Sequence, residues 1–577
     1  MMQRLYLIVA LTVLSAVVTY AQEDEVMSVL GVNSPEEADP EEFERMSDLL
    51  VHPLRINLVS ESRLIASGLL TRYQAASLTD YRRRHGNVMS YTELAALDGF
   101  NDEVVSRLRP FLSLECYSLH DPEKHIQNDV ALKAASKLTG TQYSWNYGLK
   151  YRIRTNRFTF ALASSKSYSA TGARPDAYSG SAVYDFRRFR GRIAVGDFNA
   201  RFGQGLALWS GTFMNSLNSP DAFMKKPSGI SETWSFTSST ALTGVAGSMS
   251  FSHFTLTLLA AVPGLKTIIE KPKAVRLMPA TNLMWQGKYG SVSFTHVAEM
   301  NGFKGVDFRI PQVRTSGDAA LCFKGVNLFG ELAYDWVSED IHATAGTDFP
   351  LGEIGRAAAL LKYIPSKFNG TAAQHGAVSS FALKSRKRHS LTLSAEALRY
   401  VGPKDDDVLH SIQAKFLADW RFSINNNWET RLRVSERFRT WGNMTRTDIR
   451  TDVIYVSGPL NLSGRLNYLK CVSHAFVGYA EQGYKTERFS TYLRQGVFFV
   501  DDWEDRIYVY ERDAPGSFNV PAMYGRGWFA NVVASARVSN SVRLYFRASY
   551  TGYCFMPDEK RKPGKAELRI QLVLRYL

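Results

Sequence analysis

The sequence predicts an α+β multidomain chain, in which a small all-α domain precedes a large antiparallel transmembrane β-barrel of about 20–24 strands. Three patterns support this prediction. From about residue 129 to the C-terminus, apolar and polar side chains alternate repeatedly. Residues 43–115 instead show the apolar spacing of helices. An apolar segment at the N-terminus is typical of an exported protein.

The final twelve residues, 566–577, alternate almost without interruption. Strand side chains point to opposite faces with a period of two, so this segment has one apolar face and one polar face. The apolar face carries Leu568, Ile570, Leu572, Leu574 and Tyr576. We interpret the segment as the strand that closes the barrel, with its apolar face toward lipid.

Similar alternation recurs along the chain, for example in 412–422, 428–435 and 542–550. These segments run to about 9–12 residues, the length of a tilted strand that crosses a membrane. Some are joined by very short turns and others by long loops, as in bacterial barrels. A tandem of soluble β-sandwiches or a propeller is the competing prediction, and the absence of a fixed sequence repeat argues against a propeller.

The sequence divides into a barrel and four shorter segments before it. We predict a signal peptide at 1–21, an acidic flexible lead-in at 22–42, a helical domain at 43–115, a linker at 116–128 and the barrel at 129–577. No plug domain is recognisable before the barrel, which argues against a TonB-dependent receptor.

The helical domain resembles the competence-type helix-hairpin-helix family. The matching pieces are two candidate hairpins, at Gly68 and Gly99, each between short helical segments. In that family the hairpin presents backbone N–H groups to a DNA phosphate. The resemblance implies that contacts with DNA or phosphate would come from Gly68, Arg82, Arg83, Arg84, Gly99 and Asn101.

The hairpins depart from the family's Gly-hydrophobic-Gly pattern. Leu70 and Asn101 stand where the second glycines belong, and leucine does not tolerate the left-handed backbone conformation. A run of arginines on a small helical domain is also commonly a solvated face. We therefore favour a structural or protein-docking role for this domain and keep DNA binding as the alternative.

The segment 196–206, with the sequence GDFNARFGQGL, is the most singular part of the barrel region. Its turn of Gly203, Gln204 and Gly205 has the composition of a phosphate cradle, but it lacks the lysine and hydroxyl residue of a P-loop. Asp197 and Arg201 are candidates to pair inside the lumen.

This segment, together with 510–527, resembles a signature of Bacteroidetes-type outer-membrane β-barrel proteins that carry an N-terminal helix-hairpin-helix domain. That family is functionally uncharacterised. The resemblance therefore implies architecture and location: a barrel in the cell outer membrane and an N-terminal domain in the periplasm.

The chain is basic, with a formal net charge of +14. Much of this charge lies on the polar faces of predicted strands, and the candidates for the lumen are Arg431, Arg433, Arg543 and Arg547. Inward arginines either line a wet lumen that favours anions or pair with acidic residues that brace it. Both interpretations remain open at the level of sequence.

The sequence lacks HExxH and GxSxG motifs, and its four cysteines are widely scattered. We therefore predict a non-enzymatic barrel without a metal or cofactor, acting as a channel, a transporter or a scaffold for an envelope complex. The alternatives are a DNA-uptake component that uses the helical domain, and a barrel-borne hydrolase. The expected partners are outer-membrane lipid and other envelope proteins, with DNA and an anionic solute as further candidates.

Overall fold

The computed structural model describes residues 21–116, 126–186, 190–211, 217–234, 241–263, 275–302, 309–366, 373–385, 388–401, 410–554 and 562–576. The predicted signal peptide therefore lies outside the described residues except for its last position, and so does most of the predicted linker.

The N-terminal part folds as short helices. They are α1 (Ala21–Leu30), α2 (Pro40–Val51), α3 (Glu61–Ala66), α4 (Arg72–His85), α5 (Tyr91–Ala95) and α6 (Asp102–Leu108). Two strands of two residues each, β1 (Leu54–Arg55) and β2 (Leu112–Ser113), pair in parallel and join the segment after α2 to the end of this part. None of the described helices is both long and apolar enough to cross a membrane.

Side-chain caps define where these helices begin. Asp39 precedes α2, and its carboxylate accepts hydrogen bonds from the backbone N–H groups of Glu41 and Glu42. Thr71 and Gln74 form a reciprocal capping box at the start of α4. These caps satisfy N–H groups that have no partner within the helix, so short helices can form here.

The described residues include twenty-four long strands that close into one antiparallel barrel, with the short strand β8 paired beside β7. The strands are β3 (Gln127–Thr139), β4 (Gln142–Arg154), β5 (Phe158–Lys166), β6 (Ala177–Phe186), β7 (Gly191–Arg201), β8 (Gly229–Glu232), β9 (Leu242–Phe251), β10 (Phe254–Pro263), β11 (Val275–Gly287), β12 (Gly290–Gly302), β13 (Arg309–Phe323), β14 (Val326–Asp335), β15 (Asp340–Pro350), β16 (Gly355–Ile364), β17 (Gln374–Ser385), β18 (His389–Val401), β19 (His410–Ser423), β20 (Trp428–Arg439), β21 (Met444–Ser457), β22 (Leu460–Lys470), β23 (His474–Lys485), β24 (Phe489–Val500), β27 (Gly525–Arg537), β28 (Val542–Tyr553) and β29 (Lys565–Tyr576). A separate pair, β25 (Ile507–Tyr508) and β26 (Ala522–Met523), lies between β24 and β27 in the chain.

The predicted barrel and its closing strand are confirmed. β29 pairs with its neighbour β28 on one side and with β3 on the other, so the last strand joins the first. The predicted alternation is also present. Ile570 is 46% exposed on the outer face, whereas the next residue, Gln571, is 1% exposed and faces inward.

The two ends of the barrel differ in the length of their connections. At the end where β3 begins and β29 ends, the connections between strands are two to four residues long. We call this the short-turn end. The other end, the long-loop end, carries long connections, including 202–241 and 501–524. This asymmetry matches the prediction of short turns and long loops.

The N-terminal helices lie inside the barrel. Side chains between residues 23 and 107 bond to strands spread around the whole ring, including β4, β7, β11, β17, β20 and β22. We call residues 21–116 the plug. Its own apolar core, which includes Ile56, Leu64 and Leu78, is fully enclosed.

This placement corrects two predictions. The acidic segment 22–42, expected to be a flexible lead-in, is largely helical, and its side chains from residue 23 onward are buried or half-buried except for Ser28. The barrel also has a plug, although none was recognised in the sequence. The helical domain fills the lumen rather than lying wholly outside it, because its charged residues find partners on the barrel wall.

Candidate functional site: the interface between plug and barrel wall

Acidic residues of the plug meet basic residues of the wall along one continuous interface. The partners come from strands on several sides of the barrel and from the inward segment 501–524. The pairs are Glu23–Arg512, Asp24–Arg431, Glu36–Arg450, Glu36–Arg465, Glu37–Arg433, Glu42–Arg201, Glu44–Lys150 and Asp48–Arg152.

Asp48, near the end of α2, forms a bidentate ion pair with the wall. Its two carboxylate oxygens accept hydrogen bonds from the Arg152 guanidinium at 2.8 and 2.9 Å, a bidentate arrangement. Arg152 also donates to Asp129 at 2.7 and 3.1 Å. Burial alone would raise the pKa of Asp48, but the guanidinium groups of Arg152 and Arg154 outweigh it and hold that pKa well below its ordinary value.

Glu36 lies in the loop between α1 and α2 and joins three parts of the wall. Its carboxylate contacts Arg465 at 2.5 Å and Arg450 at 3.4 Å, and it accepts the backbone N–H of Tyr510 at 3.1 Å. Burial again opposes ionisation, but these partners lower the pKa of Glu36 well below its ordinary value. The residue is therefore a fixed negative charge inside the lumen.

At the start of α2, Glu42 pairs with Arg45 of the plug and with Arg201 of β7. Burial would raise the pKa of Glu42, yet the two guanidinium groups lower it from 4.5 to about 2. At Glu36, Glu42 and Asp48 the plug thus carries ionised carboxylates next to arginines of the wall, and the opposite charges neutralise each other.

Two lumen arginines singled out in the sequence lie in this interface. Arg431 contacts Asp24 at 3.0 Å, and Arg433 contacts Glu37 at 2.8 Å and Asp419 at 2.6 Å. Arg431 also contacts Glu429 of its own strand at 2.5 Å, so each arginine has one acidic partner on the wall and one on the plug. The sequence had indicated partners on the wall, but it had not placed the plug in the lumen.

Arg543 and Arg547 also face the lumen, but their surroundings differ. Arg547 pairs with Glu511 of the inward segment 501–524 and lies 3.4 Å from Glu567. Arg543 contacts the hydroxyl of Tyr545 at 3.4 Å, and no carboxylate among the described residues lies within ion-pair distance of it.

The residues Asp197 and Arg201 both point inward, but they do not pair with each other. Asp197 accepts hydrogen bonds from the backbone N–H of Gly180 and from the Thr243 hydroxyl. The Arg201 guanidinium donates hydrogen bonds to the Glu42 carboxylate and to the carbonyl of Ser210. The strand separates the two side chains along its length, so each meets a different partner.

The Gly203–Gln204–Gly205 turn surrounds a carboxyl group, and that group belongs to a side chain of the same protein. The Glu331 carboxylate of β14 accepts backbone N–H groups from Gln204 at 2.7 Å, Leu206 at 2.9 Å and Ala207 at 3.1 Å. A Cβ on Gly203 would lie 2.7 Å from that carboxylate, and Gly203 also has a φ of +58°. The turn therefore fixes the start of the connection 202–241 inside the barrel.

Most residues predicted to contact DNA make contacts within the protein instead. Gly68 adopts a φ of +70° and lies against the Arg45 guanidinium, and Gly99, with a φ of +84°, lies against the ring of Tyr73. Arg82 donates to the carbonyls of Asn57 and Val59 at 2.9 Å.

The remaining candidates have other surroundings. Asn101 caps α6 by accepting the N–H of Val104 at 2.8 Å. Arg83 and Arg84 are exposed and each pairs with Asp80. The assignment of this domain to the helix-hairpin-helix family stays a prediction.

Comparison with known proteins gives similarities of fold only. No family model and no curated protein matches the chain. Among solved structures, the siderophore receptor PirA from Acinetobacter baumannii matches 80% of this chain and 81% of its own, with 6% identity and a TM-score of 0.43. The translocation pore of the P pilus usher PapC matches 78% of this chain and 99% of its own, with 9% identity and a TM-score of 0.37.

The outer membrane protein opdK from Pseudomonas aeruginosa matches 80% of this chain and all of its own, with 9% identity and a TM-score of 0.28. At such scores these similarities carry no argument about function. The architecture rests on the strand pairing and on the plug contacts. The chain is a β-barrel that closes through twenty-four described strands around its own N-terminal helices.

Proposed function

We propose that this protein is a channel or transporter of the outer membrane, in which the plug closes the lumen and is displaced to open it. The observation that supports the proposal is the ionic character of the plug–wall interface. Acidic residues of the plug meet arginines of the wall at enclosed positions, as in the pairs of Glu36 and Asp48.

An ionic interface is compatible with a plug that moves out of the lumen. Buried ion pairs add little net stability compared with apolar packing, although they fix which groups meet. When the plug moves out, water can hydrate both charged surfaces, whereas an exposed apolar surface would be costly. The plug also keeps its own apolar core, with Leu64 and Leu78 enclosed within it. This core lets the plug stay folded when it separates from the barrel wall.

The outer surface supports a location in a membrane. Large apolar side chains are exposed outward on the strands, for example Leu258, Phe294, Leu332, Leu361 and Leu466. A closed barrel leaves no unpaired strand edge in lipid. We place the short-turn end in the periplasm, because long loops of such barrels face the cell exterior.

The plug reaches the short-turn end, where Arg63 donates to the carbonyl of Thr155 in the β4–β5 turn and Glu103 pairs with Lys384 near the end of β17. In that orientation we expect the exposed part of the plug, around Arg83 and Arg84, to face the periplasm. A periplasmic protein that docks there would have access to the plug without crossing the barrel. Docking of such a partner and opening of the lumen are then parts of one function.

The test is ion conductance across planar lipid bilayers. We expect the full chain to be closed most of the time and a variant lacking residues 22–115 to conduct steadily. Heat-modifiable mobility in gels shows whether the variant forms a barrel. A folded plugless barrel that conducts no more than the full chain would refute the proposal.

A further inference from the structure

A cavity of about 270 Å³ lies between the plug and one side of the barrel wall. The plug contributes Glu23 of α1 and the segment from Phe43 in α2 to His52 just after it. The wall contributes the lumen faces of β24, β27, β28, β29, β3 and β4, and the inward segment 510–518 forms a further side. The pairs Glu23–Arg512 and Glu44–Lys150 and the carboxylate of Asp48 form part of its lining.

Basic side chains line the part of the cavity nearest the short-turn end. Lys485 comes from the end of β23 and Arg543 from the beginning of β28. Within the described residues, neither has a carboxylate within ion-pair distance. Arg575 lies 3.9 Å from Asp129, which already binds Arg152 at 2.7 Å. The carboxylates that line the cavity each have a basic partner, so Lys485 and Arg543 are left to attract an anion at this place. These carboxylates are Glu23, Glu44, Asp48, Asp129 and Asp513.

The adjoining wall is apolar. Tyr545 and Val573 are buried side by side with Ala131 and Ala514, and Val533 and Phe43 continue the same lining. A site for a simple inorganic anion does not need such a surface, whereas an organic anion would bury its apolar part there.

A buried hydrogen-bond acceptor also lines the cavity. The amide nitrogen of Gln571 donates to the carbonyl of Pro515 at 2.7 Å. Among the described residues, the amide oxygen of the same side chain has no hydrogen-bond partner, although Gln571 is only 1% exposed. A buried acceptor normally has a donor, and a hydroxyl or amine of a bound molecule would supply one.

We infer that this cavity binds a small organic anion that has a carboxylate, an apolar body and a hydrogen-bond donor. The carboxylate lies against Lys485 and Arg543, the apolar body against Tyr545 and Val573, and the donor meets Gln571. The volume suits a molecule smaller than a typical drug. The inference rests on the proposed conduit only in so far as it names the class of solute that the conduit takes.

The site is tested by isothermal titration calorimetry with the full chain in detergent solution. The probe is mandelate, which combines a carboxylate, a phenyl ring and a hydroxyl. Mandelamide is the uncharged control and inorganic phosphate the control without an apolar body. The variants are Arg543→Gln and, in case that variant does not fold, Lys485→Gln. Arg526→Gln is the matched control, because Arg526 pairs with Asp501 at the long-loop end.

We expect mandelate to bind the wild-type protein and the Arg526→Gln variant equally. Arg543→Gln should weaken binding about tenfold or more, the effect of one charge-assisted hydrogen bond. Absence of mandelate binding, equal affinity for mandelamide, tighter binding of phosphate, or unchanged affinity in both lumen variants would overturn the inference. Conductance of the plugless barrel tests the conduit separately, so either idea can fail without the other.

Discussion

Replacing Glu36 by glutamine tests whether ion pairs hold the plug in place. The side chains of Glu36, Arg450 and Arg465 are each only 10–11% exposed. Neutralising one partner of a buried pair costs about 3–5 kcal/mol. Both arginines keep Asp452, at 2.8 and 2.5 Å, so we expect the lower end of that range.

A cost of about 3 kcal/mol shifts the equilibrium toward the displaced plug by about a hundredfold, since about 1.4 kcal/mol corresponds to a factor of ten. The measurement is the open fraction of single barrels in planar bilayers at constant pH and salt. Glutamine has the shape of glutamate, so the change removes the charge and little else.

Glu25→Gln is the matched control. Glu25 lies in the same acidic segment, and it forms no ion pair with the described part of the wall. We expect its open fraction to equal that of the wild type. If Glu36→Gln stays as closed as the wild type, the plug is not held by these pairs. If both variants open equally, the specific role of Glu36 is refuted.

Three further changes test other parts of the structure. The pKa of Glu42 is lowered from 4.5 to about 2 in the closed state, so its ionised form stabilises that state. This stabilisation is complete above pH 4.5 and is lost as the pH falls toward about 2. Bilayer conductance should therefore rise as the pH falls over that interval. A conductance that falls there would contradict the assignment. Glu331→Gln should loosen the connection 202–241 and speed its cleavage in limited proteolysis, because three backbone N–H groups lose a carboxylate, whereas Glu339→Gln in a short connection at the same end should not. Ile570→Arg should destabilise the barrel by about 2–4 kcal/mol in urea-induced unfolding, since it places a charge on the lipid face. Ile570→Leu is its control, and equal stability of the two variants would place this face away from lipid.

The barrel could be predicted from the sequence because its signal is local. Alternation within a segment such as 566–577 follows from the geometry of one strand and its two environments. The closing role of β29 followed from this pattern together with the position of the segment at the C-terminus. The polar strand faces also indicated inward arginines, including Arg431 and Arg433.

The plug could not be predicted in the same way, because its folded structure depends on residues that are distant in the sequence. The segment 22–42 has the acidic, proline-containing composition of a flexible chain. Yet Glu36 bonds to Arg465, 429 residues further along the chain. The available signal was charge complementarity: an acidic block beside a barrel whose strand faces carry more arginines than nearby acids can balance.

The turn at Gly203 to Gly205 was not predicted as a site for an anionic group, because it lacks the lysine and hydroxyl residue of a P-loop. In the structure its backbone N–H groups do gather around a carboxyl group. That group comes from Glu331 of β14, more than a hundred residues away in the chain. The glycine pattern of a turn does not identify the group that the turn binds.

The junction between β3 and β29 has a consequence for how the molecule is made. The plug precedes β3 in the chain, and the second edge of β3 pairs with β29, the last of the barrel strands. Synthesis runs from the N-terminus, so the plug is made before any barrel strand and β29 is made after all the others. The seam between β3 and β29 is therefore the last strand pairing that the growing chain can form.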